Sequence, residues 1–173
     1  ILVTGGAGFI GSSVVDALIL KNHKVTIVDN LSTGNLKNVN KKAKFYKFSI
    51  TDRQKINVMF KKEKFDVVIH HAAQLDVRKS VEDPLFDADV NIKGSLNILE
   101  ACKNTKVKKI IFASSGGTMY GECSGKAPDE KTPVNPLSPY GVAKNSVENY
   151  IKSYASIYGL KYTVLRYANV YGP

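Results

Sequence analysis

Ile1-Leu2-Val3-Thr4-Gly5-Gly6-Ala7-Gly8-Phe9-Ile10-Gly11 opens the chain. Residues suited to a buried strand run into glycines, and an amphipathic helical pattern follows from near Ser12. Glycines are needed where backbone must turn tightly, approach a pyrophosphate closely and let a helix pack on a strand. The helix then presents free N–H groups and a partial positive charge to that anion. A second strand-like run, Val25-Thr26-Ile27-Val28-Asp29, ends on a carboxylate 18 residues after Gly11. Asp29 is thereby placed to accept hydrogen bonds from both hydroxyls of an adenosine ribose and to repel a 2′-phosphate, which favours NAD over NADP. No arginine follows it; Asn30-Leu31-Ser32-Thr33 do.

Outward from this turn, short apolar runs alternate with longer helical patterns. Strands are expected at Ile1–Thr4, Val25–Asp29, Lys44–Ser49, Asp66–His70, Lys109–Ser114 and Tyr162–Arg166. Helices are expected at Gly11–Lys21, Asp52–Lys62, Pro84–Lys103 and Ser138–Tyr158. Pro84 and Pro139 suit helix starts, Asp52 a cap and Gly159 a stop. The strand runs are continuously apolar rather than alternating, which predicts an α/β fold: a doubly wound parallel sheet of Rossmann type, covered on both faces. Gly116–Leu137 lacks periodicity and reads as a long functional loop at the C-terminal end of the fifth strand.

Bulk properties bound the function. The 173 residues suffice for one well-buried domain. No run approaches the roughly 20 apolar residues of a membrane span, and no signal peptide precedes the first strand. The abrupt start at Ile1 and the stop at Tyr171-Gly172-Pro173 read as a piece of a longer chain. Cys102 and Cys123 have no metal-ligand spacing, so a reducing, cytoplasmic setting is expected and no metal site. The net charge of +10 invites a nucleic-acid partner. The lysines are dispersed, however, as in Lys41-Lys42, Lys61-Lys62 and Lys108-Lys109, and no aromatic array accompanies them. No nucleic-acid role is expected.

Tyr140-Gly141-Val142-Ala143-Lys144 lies near the start of a helical pattern, and a spacing of four puts phenol and ammonium on one face. A phenol with a pKa of about 10 is a poor base at neutral pH. Positive charge from Lys144 and an oxidised nicotinamide ring would favour the phenolate and move that value down. Ser114-Ser115 end the fifth strand, where a hydroxyl could meet a substrate oxygen.

Thr4-Gly5-Gly6-Ala7-Gly8-Phe9-Ile10-Gly11, His71-Ala72-Ala73, Ser114-Ser115, Tyr140-x-x-x-Lys144 and Arg166-Tyr167-x-Asn169-x-Tyr171-Gly172-Pro173 follow in order along the chain. Together they resemble the extended short-chain dehydrogenase/reductase family, and within it the nucleotide-sugar epimerases. The resemblance implies pyrophosphate contacts at Gly5, Gly8, Phe9, Ile10 and Gly11. It implies ribose contacts from Asp29, Asn30, Leu31, Ser32, Thr33 and Gly34, and a base contact from the Ile50 backbone. Ala72, Ala73 and Gln74 would line the nicotinamide side, with Asn91 supporting them from its helix and Ala168 also touching the cofactor. Tyr140 would be the base, Lys144 would hold the nicotinamide ribose, Ser115 would assist at the sugar hydroxyl and Asn169 would reach the substrate nucleotide.

There are two departures from the family pattern. Ser49 stands before Ile50 where relatives usually carry an aspartate, and Ser114–Gly121 is one residue longer than in the commonest epimerase form. Ser114 and Thr118 therefore stay open beside Ser115 as the assisting hydroxyl.

The implied activity is NAD-dependent epimerisation at C4 of a nucleotide sugar through a 4-keto intermediate, with UDP-glucose/UDP-galactose first. A 4,6-dehydratase would need an Asp-Glu pair where this chain has Gly116-Gly117-Thr118. Decarboxylases of UDP-glucuronate and epimerases of N-acetylated or uronic sugars share the remaining pattern. A non-catalytic NAD-sensing module would need none of Ser115, Tyr140 and Lys144. The resemblance further implies a homodimer built on Pro84–Lys103 and Ser138–Tyr158. On this reading residues 1–173 are the NAD-binding domain, and the C-terminal substrate domain lies outside them.

Overall fold

The computed structural model describes residues 1–122 and 127–172, so Cys123 and Pro173 lie outside the described residues. The β-branched and aromatic runs form six parallel strands: β1 (Leu2–Thr4), β2 (Thr26–Asp29), β3 (Lys44–Lys47), β4 (Val67–His70), β5 (Lys109–Ser115) and β6 (Lys161–Tyr167). Their order in the sheet is β3-β2-β1-β4-β5-β6. This is the doubly wound Rossmann arrangement, whose order reverses between β1 and β4 and opens a crevice at the strands' C-terminal ends.

Among the described residues, the connecting helices are α1 (Phe9–Leu20), α2 (Arg53–Glu63), α3 (Val77–Glu82), α4 (Pro84–Ala88), α5 (Gly94–Thr105), α6 (Gly116–Met119) and α7 (Pro139–Tyr158). Local chemistry sets their ends. Asp52 caps α2 through the Lys55 amide at 3.0 Å, and Ser138 caps α7 through the Gly141 amide at 3.1 Å. Gly159 closes α7 at φ +70°.

Successive strand residues point to opposite faces. On one face Leu2, Val28, Val68, Ile110 and Phe112 pack against Ile56 and Phe60 of α2, Ile98 and Leu99 of α5, and Val147 and Ile151 of α7. On the other, Val3, Ile27 and Ile69 pack against Val15 of α1.

Two expectations change. The helix expected at Pro84–Lys103 is interrupted by a π-helical turn, Asp89–Lys93, and runs on to Thr105. The stretch expected to be irregular from Gly116 begins with the short helix α6. Among the described residues, α1 packs on the second face, where Ile111, Thr163 and Leu165 are half-buried. No described helix is long and apolar enough to cross a membrane.

Candidate functional site

The chain leaves β1 through Gly5 at φ +70°, a left-handed conformation that side chains rarely adopt. A Cβ there would lie 2.7 Å from the Ala72 amide nitrogen, and one at Gly11 would lie 2.2 Å from the Gly5 carbonyl oxygen. Neither neighbour can move, because both are backbone. Helix α1 therefore starts at Phe9, earlier than its polar pattern suggests, with Gly8 as N-cap, no side-chain cap and no acidic residue in its first turn. Helical geometry leaves the N–H groups of Phe9, Ile10 and Gly11 without intrahelical acceptors. All three residues line a cleft of about 480 Å³.

Asp29 ends β2 and is 8% exposed. Its carboxylate accepts from the Ala7 amide at 3.0 Å and the Leu31 amide at 2.8 Å, which fixes its plane and leaves further lone pairs toward the cleft. These groups suit a dinucleotide: a glycine cradle for pyrophosphate and a fixed carboxylate for ribose hydroxyls.

Behind the cleft lies a chain of buried hydrogen bonds whose directions can be worked out. Ser95 Oγ donates to the Asn91 carbonyl at 2.6 Å, so it must accept from His70 Nε2–H at 2.9 Å. His70 Nδ1 is then an acceptor and takes the Thr4 hydroxyl proton at 2.6 Å. The Thr4 oxygen in turn accepts the Ala72 amide at 3.0 Å. Burial first, with Lys144 and His71 adding repulsion, lowers the His70 pKa to about 3, so the ring is neutral. The Asn91 amide grips the next peptides: its Oδ1 accepts the Gln74 amide and its Nδ2 donates to the Gln74 carbonyl, both at 2.9 Å. Ala72 and Ala73 are thus held at the cleft wall.

At the opposite wall, Ser115 ends β5 and α7 supplies Tyr140 and Lys144. Lys144 is buried, with Nζ donating to the Ala113 carbonyl at 2.9 Å and lying 5.6 Å from the centre of the Tyr140 ring. Burial lowers the Lys144 ammonium from 10.5 to about 8, against the opposing pull of the Asp87 carboxylate. Ser114 also lines the cleft, but its Oγ is committed as a donor to Glu148 at 2.6 Å, and Thr118 Oγ1 is buried without a partner among the described residues. Ser115 lines the cleft and its hydroxyl has no partner among the described residues.

The model of the NAD dependent epimerase/dehydratase family matches residues 1–173. The chain belongs to that family. It is similar to the crystal structure of UDP-glucose 4-epimerase from Thermotoga maritima with UDP-glucose, at 52% identity and a TM-score of 0.97, over 99% of this chain and 56% of that one. The Thermus thermophilus UDP-glucose 4-epimerase complex with NAD gives 46% identity and a TM-score of 0.97, over 99% and 56%. The UDP-glucose 4-epimerase of Mycolicibacterium smegmatis is 41% identical, over 99% of this chain and 56% of its own length. The chain thus spans little more than half the length of these relatives.

In this epimerase/dehydratase family member, most residues singled out in the sequence line one cleft: Gly5, Gly8, Phe9, Ile10, Gly11, Asp29, Asn30, Ser32, Thr33, Ser49, Ile50, Ala72, Ala73, Ser114, Ser115, Tyr140, Lys144, Ala168 and Asn169. Five do not line it, Thr118 among them. Leu31 caps Asp29 through its amide, and Gly34 packs on Ala7, where a Cβ would lie 3.0 Å from the Ala7 Cβ. Gln74 turns its side chain to Asp76 and Asp87, and Asn91 acts from behind, on the π turn.

The expected lowering of the Tyr140 pKa is not produced by the protein groups. Burial first, and the Asp87 charge second, raise it. The Ser49 hydroxyl accepts from the Thr51 amide at 3.2 Å and the Thr51 hydroxyl at 2.8 Å, so its lone pairs serve a local turn. The Ile50 carbonyl accepts from Asn97 at 3.0 Å.

Sequence reasoning missed His71, Leu75, Val90 and Tyr167 as cleft residues. His71 and Tyr167 follow or end strands at the C-terminal edge, a usable signal. Val90 depends on the π turn, which no local pattern announces. Among the described residues, no three His, Cys, Asp or Glu side chains are grouped to hold a metal ion.

Proposed function

We propose that the protein is an NAD-dependent epimerase acting at C4 of a nucleotide sugar, with UDP-glucose and UDP-galactose as first substrates. One observation carries this reading: Ser115, Tyr140 and Lys144 line the same cleft as the glycine cradle and Asp29. The names of the relatives point the same way. Gly5, Gly8, Phe9, Ile10 and Gly11 would hold the pyrophosphate and Asp29 the adenosine ribose. Ala72 and Ala73 would flank the nicotinamide. Bound NAD supplies an acceptor, and then a donor, for the hydrogen at sugar C4.

Tyr140 takes the proton of the 4-hydroxyl, and Ser115 hydrogen-bonds the same oxygen so that the proton can pass to the phenolate. Lys144, whose ammonium has one acceptor among the described residues, keeps its other N–H groups for the nicotinamide ribose and places positive charge beside the phenol. Asn169 meets the substrate nucleotide. The 4-keto sugar then turns within the cleft, and Tyr140 returns the proton to the new 4-hydroxyl.

The protein is read as cytoplasmic and homodimeric. Leu85, Phe86, Val142 and Tyr150 are exposed apolar side chains on α4 and α7, an area that a second copy would cover. Light scattering at a dimer mass supports that assembly, and a monomer mass refutes it.

The test uses the full-length protein. It should interconvert UDP-galactose and UDP-glucose, and Tyr140→Phe should lose turnover by about a thousandfold, within the range of acid–base catalysis, while retaining bound NAD. Conversion of a different nucleotide sugar alone would overturn the substrate assignment. Unchanged turnover in Tyr140→Phe would overturn the mechanism, and a wild type that holds NAD but turns over no nucleotide sugar would favour a sensing module.

A further inference from the structure

We infer that Glu148, clamped by Arg166, is a positioning residue that sets Ser115 and Tyr140 in register across the cleft. The inference rests on the proposed function and deepens it.

On α7, Tyr140, Lys144 and Glu148 are spaced by four and share one face. On β5, Ala113, Ser114 and Ser115 are consecutive. Lys144 Nζ donates to the Ala113 carbonyl at 2.9 Å, and Glu148 Oε1 accepts the Ser114 hydroxyl at 2.6 Å. Two adjacent strand residues are therefore tied to two successive helical turns. This fixes both the height and the rotation of α7 against the strand end.

Arg166 pairs with Ser114 in the β5–β6 register, so its guanidinium arrives beside the same carboxylate. Nε and Nη2 donate to the two Glu148 oxygens at 3.0 and 2.7 Å, a two-pronged contact that permits little rotation. The remaining prong, Nη1, donates to Tyr120 Oη at 2.9 Å. Tyr120 follows α6, and Ser115 is the N-cap residue of α6. Ser115 thus sits between two anchored points: Ser114, held by Glu148, and Tyr120, held by Arg166.

Glu148 is 2% exposed. Buried ion pairs are weak devices for stability, and apolar residues of similar volume often serve as well. An apolar pair could pack β5, β6 and α7 together. It could not aim an acceptor at Ser114 Oγ or a donor at Tyr120 Oη. That aim matters because a proton donor and its base must meet within about 3 Å, and a misplacement of about 1 Å can cost a hundredfold in rate.

The experiment compares E148A, S114A and E148A/S114A in the full-length, NAD-loaded protein turning over UDP-galactose. E148A should lower kcat about a hundredfold, with KM shifted less than about threefold and NAD content unchanged. S114A should lower kcat less, and S114A should add nothing in the E148A background, because both act through one hydrogen bond. Multiplying losses, or wild-type kcat in E148A, overturn the inference.

Should E148A not fold, E148Q/R166M and E148M/R166M leave no buried unpaired charge. The first keeps an acceptor for Ser114 and should be at least about tenfold faster than the second; equal rates overturn the inference. If the wild type turns over neither sugar, the proposed function falls alone, and hydrogen exchange reads the clamp. Ser115 and Gly116 amides should exchange about tenfold faster in E148M/R166M than in E148Q/R166M, while those of Ile110 and Phe112 do not change. Equal exchange at all four amides overturns it.

Discussion

Replacing Lys144 by methionine should make the fold more stable while removing its activity. Lys144 is 4% exposed; its ammonium has one hydrogen-bond acceptor among the described residues, the Ala113 carbonyl, and lies 4.8 Å from the centre of the Phe112 ring. Burial moves its pKa from 10.5 to about 8. At roughly 1.4 kcal/mol per pH unit, keeping it charged costs the folded state about 3 kcal/mol. Methionine retains the apolar stem and gives up one hydrogen bond worth about 1 kcal/mol, leaving a net gain of about 2 kcal/mol. The sign with pH is fixed by proton counting. Between pH 8 and 10.5 the unfolded chain keeps a proton on Lys144 that the folded chain has released. The wild type therefore gains stability as pH rises through that window, and the advantage of the variant shrinks. Urea unfolding of NAD-free protein at pH 7 and at pH 10 reads both quantities. A lower midpoint for Lys144→Met at pH 7, or a difference that does not change with pH, would refute the reasoning.

Other changes probe the remaining walls of the cleft. Asp29→Ala removes the acceptor of two backbone amides and of the proposed ribose contacts, and should weaken NAD at least about tenfold while narrowing its advantage over NADP, by titration calorimetry. Gly11→Ala drives a Cβ to 2.2 Å from the Gly5 carbonyl oxygen. It should abolish NAD retention and lower stability by about 1–3 kcal/mol, as overpacking does. Thr4→Val leaves the Ala72 amide and His70 Nδ1 unpaired and should cost about 1–3 kcal/mol in urea unfolding, whereas Thr4→Ser should cost little.

The parts legible in the sequence are those encoded by neighbours along the chain. The glycine turn, the order of strands and helices, the Asp52 cap and the Tyr140–Lys144 spacing all follow from local pattern. Helix α1 begins at Phe9 because the cap is Gly8, which carries no side-chain signal. Helix α3, Val77–Glu82, is too short to show periodicity, although Asp76 caps it by accepting from the Arg78 and Lys79 amides. The π turn is set by contacts distant in sequence: Asn91 gripping Gln74, and Gly94 so close to Ile50 that a Cβ would lie 2.8 Å from its side chain. The direction of the Tyr140 shift escapes a sequence reading for the same reason, since Asp87 enters only through its placement on α4.

That division suggests how the site is built. Groups facing the cleft are open: the first amides of α1, the Ser115 hydroxyl and the free donors of Lys144. Groups one layer behind, and Ser114 at the wall itself, are spoken for: Thr4 by His70 and Ala72, Asn91 by Gln74, Ser114 by Glu148. A buried polar group with a fixed partner cannot reorient, so it holds the open group in front of it at little entropic cost when substrate arrives. Lys144 belongs to both layers, and this is why it carries a large burial penalty. One proton is used on Ala113 to hold α7 against β5, and the charge it keeps is what Tyr140 needs beside it. A neutral side chain could supply the first role without the second. The stability expected of Lys144→Met therefore measures what the fold gives up to keep a cation beside the phenol.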